Sequence, residues 1–341
     1  MRKTLLFFLS ISALQLYAQT SADSTPALRQ LPGLYCIVLS VKDTIRYDQH
    51  FNGTKTEDVF DDQSLTKSLG SLLVGIAIDK GLIASLDEKL VHWFPQLEKD
   101  TDRRKQDITL RQVMNQASGL RHEDLEKMNG IADYLALSDP AGFVLDAPLL
   151  STPGAVFHYN NAATHLLSLI ITKSSGMDVL SFARKNLLAP LGITAIEWTK
   201  MKDGYYDLAG LENIRLRTAD WVKIGSLLLH EGRYGRQQVV PAKWIAQVLH
   251  PDVLYPTPWG FRPSQYGLCW YHFTYQGQEM IYGMGWGGQF LVVVPGLQMV
   301  LAINQSREDR NAIPHAGRFI ESIFPRFLDA VSRHQPLENS F

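Results

Sequence analysis

The chain has 341 residues, 45% of them hydrophobic, enough for one large core or two interlocked ones. Its formal net charge is −1 and it carries no basic block, which argues against nucleic acid as a main partner. There is no His-Glu-x-x-His and no Cys/His set at zinc spacing, so neither a metal nor a cofactor is expected.

The first residues read as a secretory signal peptide. Arg2 and Lys3 precede the apolar run Leu5-Leu6-Phe7-Phe8-Leu9, and Leu16-Tyr17-Ala18 offers a small residue for cleavage. Residues 1–18 are therefore expected to be removed, and the protein to be periplasmic or secreted. No Cys follows the run as a lipid anchor would require, and no later stretch is long and apolar enough to cross a bilayer, so the mature chain is expected to lack a membrane span. Leu34 to Val41 reads as a strand, turned by Lys42-Asp43 into a second strand at residues 44–48.

A helix follows from Asp61-Asp62 to Lys80, with Leu65, Leu69, Leu72, Leu73 and Ile76 at helical spacing and Val74, Ala77 and Ile78 on much of the other face. A helix apolar on nearly all sides is a buried one. Lys67 is the only charged residue from Ser64 to Ile78, and a buried lysine is rare unless something holds it. Ser64 lies three residues earlier, on the same face and in the first turn, where free N–H groups favour developing negative charge. A serine needs a base to become a nucleophile, and burial can make a lysine one. Against this, Ser-x-x-Lys alone is short enough to arise by chance in a chain of this length.

The middle block, about residues 89–255, reads as mostly helical. A short helix starts at Thr109; others run Ala162–Lys173, Val179–Leu188, from Thr218 or Asp220 to Leu229, and Pro241–Leu249. Strand character returns at Tyr266–Tyr271, read as one strand, then at Glu279–Tyr282, Gln289–Val294 and Gln298–Asn304. A last helix, His315–Arg333, is expected to bend at Pro325. Strands at both ends predict one α/β (α+β) unit: an antiparallel sheet from residues 33–88 and 256–335, flanked by helices, with residues 89–255 inserted as a helical domain. Gly283, Gly285 and Gly288 match Gly-x-Gly-x-x-Gly, but a strand rather than a helix follows, which excludes nucleotide binding. Cys36 and Cys269 lie in strand-like runs and read as buried free thiols rather than a disulfide.

Three stretches in this order resemble the serine β-lactamase and penicillin-recognising hydrolase family, in its branch of class C-like esterases and 6-aminohexanoate-dimer hydrolases. They are Ser64-Leu65-Thr66-Lys67, Tyr159-Asn160-Asn161 and Gly283-Met284-Gly285-Trp286-Gly287-Gly288-Gln289. The resemblance covers about residues 33–335. It implies Ser64 as acylated nucleophile, Lys67 and Tyr159 as the proton-transfer pair with the base unassigned between them, and the N–H groups of Ser64 and Trp286 as an oxyanion hole. Asn161, Gly285 and Gln289 would contact substrate. Gly283 stands where β-lactamases carry a Lys. The implied activity is an exported serine hydrolase that cleaves a small-molecule ester or amide through an acyl-enzyme. A D-alanyl-D-alanine carboxypeptidase or β-lactamase, and a non-catalytic peptide- or glycan-binding relative, are the alternatives. Neither the substrate nor the oligomeric state is legible.

Overall fold

Two apolar runs at opposite ends of the sequence lie side by side in space. The computed structural model describes residues 26–122, 130–211, 214–307 and 312–337. Its main strands are β1 (Leu34–Val41), β2 (Thr44–His50), β3 (Tyr255–Thr257), β4 (Ser264–Gly267), β5 (Trp270–Tyr275), β6 (Gln278–Met284), β7 (Phe290–Val294) and β8 (Met299–Gln305). They form one antiparallel sheet in the order β2-β1-β8-β7-β6-β5-β4-β3. β1 and β8 are neighbours, with Leu39 opposite Leu301. The sheet built from both chain ends is thus the one expected.

Both faces of the sheet are covered, so its central strands read as continuous apolar runs rather than alternating ones. In β8, Val300 and Ala302 join one core cluster while Met299, Leu301 and Ile303 join the other. The helices that matter here are α1 (Leu65–Asp79), α2 (Leu110–Met114), α3 (Asn161–Ser175), α4 (Val179–Ala183), α5 (Thr218–Leu229), α6 (Ala242–Leu249) and α7 (Phe324–Ser332). Phe319 and α7 residues Phe324 and Phe327 cover one face. On the other, α5 packs on β1, β7 and β8, and α1 packs between β6 and α3. Every residue of α1 from Leu65 to Ala77 is buried, as its all-round apolar pattern predicts.

Local signals place several ends well. Thr109 caps α2 in a capping box: its hydroxyl accepts from Gln112 N, and the Gln112 side chain accepts from Thr109 N. Other ends differ from expectation. The single strand read at Tyr266–Tyr271 is two strands, β4 and β5, joined at Leu268 and Cys269, which take positive φ values of 50° and 67°. Leu268 N donates to Asn115 Oδ1 and Cys269 N to the Met114 carbonyl, so bonds to the end of α2 hold a turn made of apolar residues. α4 stops at Ala183 and gives way to a π-helical turn, Arg184–Leu188. The C-terminal segment contains a second π turn, Phe319–Ile323, and Pro325 sits in the first turn of α7.

Cys36 and Cys269 are free and buried, and burial pushes both thiols up to about 12. Among the described residues no single helix is long and apolar enough to cross a membrane. The segment read as a signal peptide lies outside the described residues.

Candidate active site

Ser64 immediately precedes α1, with its backbone already helical (φ −67°, ψ −4°). Lys67 is in the first turn, 2% exposed, and its ammonium group can reach the serine because residues three apart share a face. Lys67 Nζ donates to Ser64 Oγ at 2.9 Å and to Asn161 Oδ1 at 2.7 Å, and makes a short contact with the Ala209 carbonyl. Three acceptors engage every proton an ammonium carries, which is how a buried charge is kept in an apolar helix. Asn161 is the first residue of α3, and Asn160 caps that helix by accepting from Ala163 N. The segment just before the cap brings Tyr159 to the same place: its hydroxyl lies 2.7 Å from Ser64 Oγ, and Lys67 Nζ sits 4.8 Å from its ring centroid. Ser64, Lys67, Tyr159 and Asn161 therefore meet, as their spacing alone could not guarantee.

The glycine stretch after β6 arrives beside the serine. A Cβ on Gly285 would lie 2.7 Å from the Asp62 carbonyl and 2.9 Å from Gln63 Cβ, so the two backbones touch just before Ser64. Gly285 N donates to the Gln289 carbonyl at 2.8 Å and Gly288 N to the Gly285 carbonyl at 3.1 Å, which closes the loop. Among the described residues neither the Ser64 nor the Trp286 N–H has a hydrogen-bond partner in the protein. The Trp286 side chain is 52% exposed.

The substrate contact expected of the Gln289 side chain is not what its position offers. Gln289 is fully buried: its Oε1 accepts from Gly287 N at 2.9 Å and its Nε2 donates to the Gln305 carbonyl at 2.8 Å. Both ends of the amide are committed to holding the loop on β8. Gly283 also has a packing reason. A Cβ there would meet Ser68 Oγ at 2.7 Å and Leu65 Cδ2 at 2.8 Å, so α1 occupies the space a side chain would need.

Several residues of the neighbourhood were not legible from sequence. Ala209 belongs to a turn that Asp207 fastens, its carboxylate accepting from Ala209 N at 2.7 Å and Leu211 N at 2.6 Å. Gly210 in that turn has φ +81°, and a Cβ on it would fall 2.2 Å from the Gln63 carbonyl. An Asp three residues before a Gly was the available signal, and it is a common one. Trp259, 44% exposed, stands edge-on to Tyr159 with centroids 6.4 Å apart. Arg307 lies against the glycine loop, its Cα 2.8 Å from where a Gly287 Cβ would be, and its Nε is 3.0 Å from Asp61 Oδ2.

Charges around the site are arranged by burial. Asp62 is fully buried, and burial raises its carboxyl well above the usual range against hydrogen bonds that include the Leu216 N–H. His165, one turn along α3 from Asn161, is also fully buried. Burial alone would push its imidazole down, but hydrogen bonds and charge from Asp203 and Asp207 outweigh that and raise it to about 9.

A large antiparallel sheet built from both chain ends and flanked by helices is the β-lactamase fold of serine hydrolases, and here a serine, a lysine and a tyrosine meet beside it. The chain belongs to the Beta-lactamase family, which it matches over residues 22–319. It is 25% identical over 184 residues to Beta-lactamase-like protein 2 of Dictyostelium discoideum; the match takes in 53% of this chain and 31% of that relative, so less than a third of the relative's length is shared. Its fold is similar to that of a Bacillus anthracis protein named for 6-aminohexanoate-dimer hydrolase, with TM-score 0.72 at 18% identity, covering 89% of this chain and 81% of the other. It is also similar to a D-stereospecific amidohydrolase from Streptomyces sp., with TM-score 0.66 at 16% identity, covering 88% and 98%.

Proposed function

We propose that this protein is a serine hydrolase that cleaves a small ester or amide through an acyl-enzyme on Ser64. The reading is carried by one observation: Ser64 Oγ sits 2.9 Å from Lys67 Nζ and 2.7 Å from the Tyr159 hydroxyl. In this mechanism Tyr159 in its phenolate form takes the serine proton as general base and, then a phenol, returns it as general acid, while Lys67 donates to Ser64 Oγ and faces the Tyr159 ring. The Ser64 and Trp286 N–H groups receive the oxyanion, a role in which one donor typically supplies roughly a hundredfold or more in rate. Asn161 holds Lys67, and the Gly285 backbone edge forms one side of the substrate cleft.

One structural neighbour is named as an amidohydrolase and another as a 6-aminohexanoate-dimer hydrolase, names that fit this chemistry. Arg2-Lys3 and the apolar run after them support action outside the cytoplasm. A carboxypeptidase or β-lactamase is less well served by the site, because Gly283 offers no cation and Arg307 is paired with Asp61.

Intact-mass analysis after a fluorophosphonate probe tests the proposal. One adduct is expected at Ser64, lost together with ester turnover in Ser64→Ala while the fold persists. A folded wild-type protein that takes no label would identify a non-catalytic binding relative, and an adduct on another serine would overturn the assignment. A panel of acyl substrates on the unlabelled enzyme then separates esters from β-lactams and D-alanyl peptides.

A further inference from the structure

Among the buried ionisable groups that the mechanism above leaves unused is His165. His165 is fully buried, yet it lies between two carboxylates. Its Nε2 is 2.8 Å from Asp203 Oδ2, and its Nδ1 is 3.5 Å from Asp207 Oδ1, an ion-pair distance. Asp207 is itself fully buried, and the Asp203 side chain is 9% exposed. The same Asp207 carboxylate receives Ala209 N and Leu211 N, and its backbone carbonyl receives the Trp198 indole N–H at 2.7 Å. Asp203 in turn accepts from Tyr205 N at 3.0 Å. The cluster therefore grips the 203–211 segment at both ends.

That segment is the one that reaches the candidate site. Its Ala209 carbonyl is an acceptor of Lys67, and Gly210 lies against the Gln63 carbonyl one residue before Ser64. From the other side, His165 and Asn161 stand one turn apart on α3, and Asn161 Oδ1 is the second protein acceptor of Lys67. One helix thus holds Lys67 directly through Asn161 and indirectly through His165, Asp207 and Ala209.

We propose that His165, clamped between Asp203 and Asp207, is a positioning residue of the acyl-transfer centre, fixing through Asp207 the turn whose Ala209 carbonyl receives Lys67. The inference rests on the function proposed above and assigns to it a support outside the three sequence stretches that carry the chemistry. A filler of the core has no need of this arrangement, because an apolar residue of similar volume commonly serves a buried position equally well or better. Without the imidazole, Asp207 keeps the Ala209 and Leu211 N–H groups but loses the ring that braces it from α3, and the Ala209 carbonyl is aimed less firmly. Lys67 then holds Ser64 and Tyr159 less well, which costs rate and leaves the substrate cleft intact.

The test uses the full chain and the rate constant for fluorophosphonate labelling of Ser64, together with kcat and KM for a p-nitrophenyl ester. Labelling of the wild type reports on the proposed function; the ratio of variant to wild type reports on the clamp. His165→Gln is expected to lower the labelling rate constant and kcat by about tenfold or more, with KM within about twofold. Because this change leaves two buried carboxylates without a cation, a second variant, His165→Gln with Asp203→Asn, removes one of them. It is expected to regain thermal stability and to keep the labelling defect, since Asp207 still lacks the imidazole. Recovery of the wild-type labelling rate along with stability, or a wild-type rate in folded His165→Gln, would overturn the proposal and leave the cluster a purely structural ion pair.

Discussion

Replacing Lys67 and Tyr159 singly and together separates a proton-transfer unit from two independent contacts. Tyr159→Phe removes one hydroxyl, 2.7 Å from Ser64 Oγ, and keeps the ring that Lys67 Nζ faces at 4.8 Å. Loss of a positioned general base costs about 10²–10⁴-fold. The half-buried hydroxyl contributes little to folding, about 0.5–1.5 kcal/mol, so the melting temperature should barely move. Lys67→Ala acts on both properties. Asn161 Oδ1 and the Ala209 carbonyl both lose this donor, and each buried acceptor deprived of a partner costs about 1–3 kcal/mol. A rate loss like that of Tyr159→Phe should therefore come with a drop of several degrees in melting temperature, on the order of 2 °C per kcal/mol. The assay is the labelling rate constant of the folded protein, with calorimetry on each variant. If the two residues form one unit, the double variant loses little more rate than either single one. A double loss equal to the product of the single losses would refute the reasoning, and so would a Tyr159→Phe protein that labels normally.

Other expected outcomes follow from the same geometry. The unmodified protein should hydrolyse a chromogenic cephalosporin far less well than a short p-nitrophenyl ester, by about tenfold to more than a hundredfold, the value of one missing charge-assisted hydrogen bond to the substrate carboxylate; efficient cephalosporin turnover would count against it. Gly283→Lys should fail to rescue that activity and should destabilise by about 1–3 kcal/mol, because Ser68 and Leu65 already fill the space, and denaturant titration would show it. Gly210→Ala should lower both melting temperature and labelling rate, since its φ of +81° and the Gln63 carbonyl 2.2 Å from the new Cβ leave the turn no native conformation; wild-type labelling in this variant would show that the turn does not matter to Ser64. For pH, His165 has a folded value of about 9 against an ordinary 6.5, so its stabilising contribution is complete below about 6.5 and is lost as pH rises to about 9. About 3 kcal/mol is at stake over that window, and unfolding curves at pH 6 and pH 9.5 should show a slope that His165→Gln removes.

Sequence patterns reached the fold because its main signals are local or periodic. The largely apolar run of β1, the all-round apolar face of α1 and the capping box at Thr109 each decide their own structure. The anomaly of Lys67 in such a helix pointed to the centre of the site before any partner was known. What escaped detection depends on contacts between distant segments. Leu268 and Cys269 make a turn only because Asn115 and Met114 receive their N–H groups. Ala209 acts through a backbone carbonyl, which no side-chain pattern reveals. Gln289 looked like a cleft residue from its place in the glycine stretch, but its amide is drawn inward by the N–H of Gly287 and the carbonyl of Gln305. Trp259 reaches Tyr159 from a loop about a hundred residues later, and only the assembled fold brings it there.

The pairing of β1 with β8 also sets the order in which the molecule can be made. Leu39 and Leu301 are adjacent in the sheet, so the first central strand has no partner on that edge until the last one is available. α1 packs against β6, and the glycine loop that touches residues 62 and 63 follows β6. A chain growing from its N-terminus therefore carries Ser64 and Lys67 long before it has the surface that holds them. Loop closure over so long a separation is slow and leaves apolar edges open meanwhile. In the proposed mechanism the nascent chain is therefore a silent one, and Ser64 chemistry waits for the final strands, after residues 89–255 have been laid down.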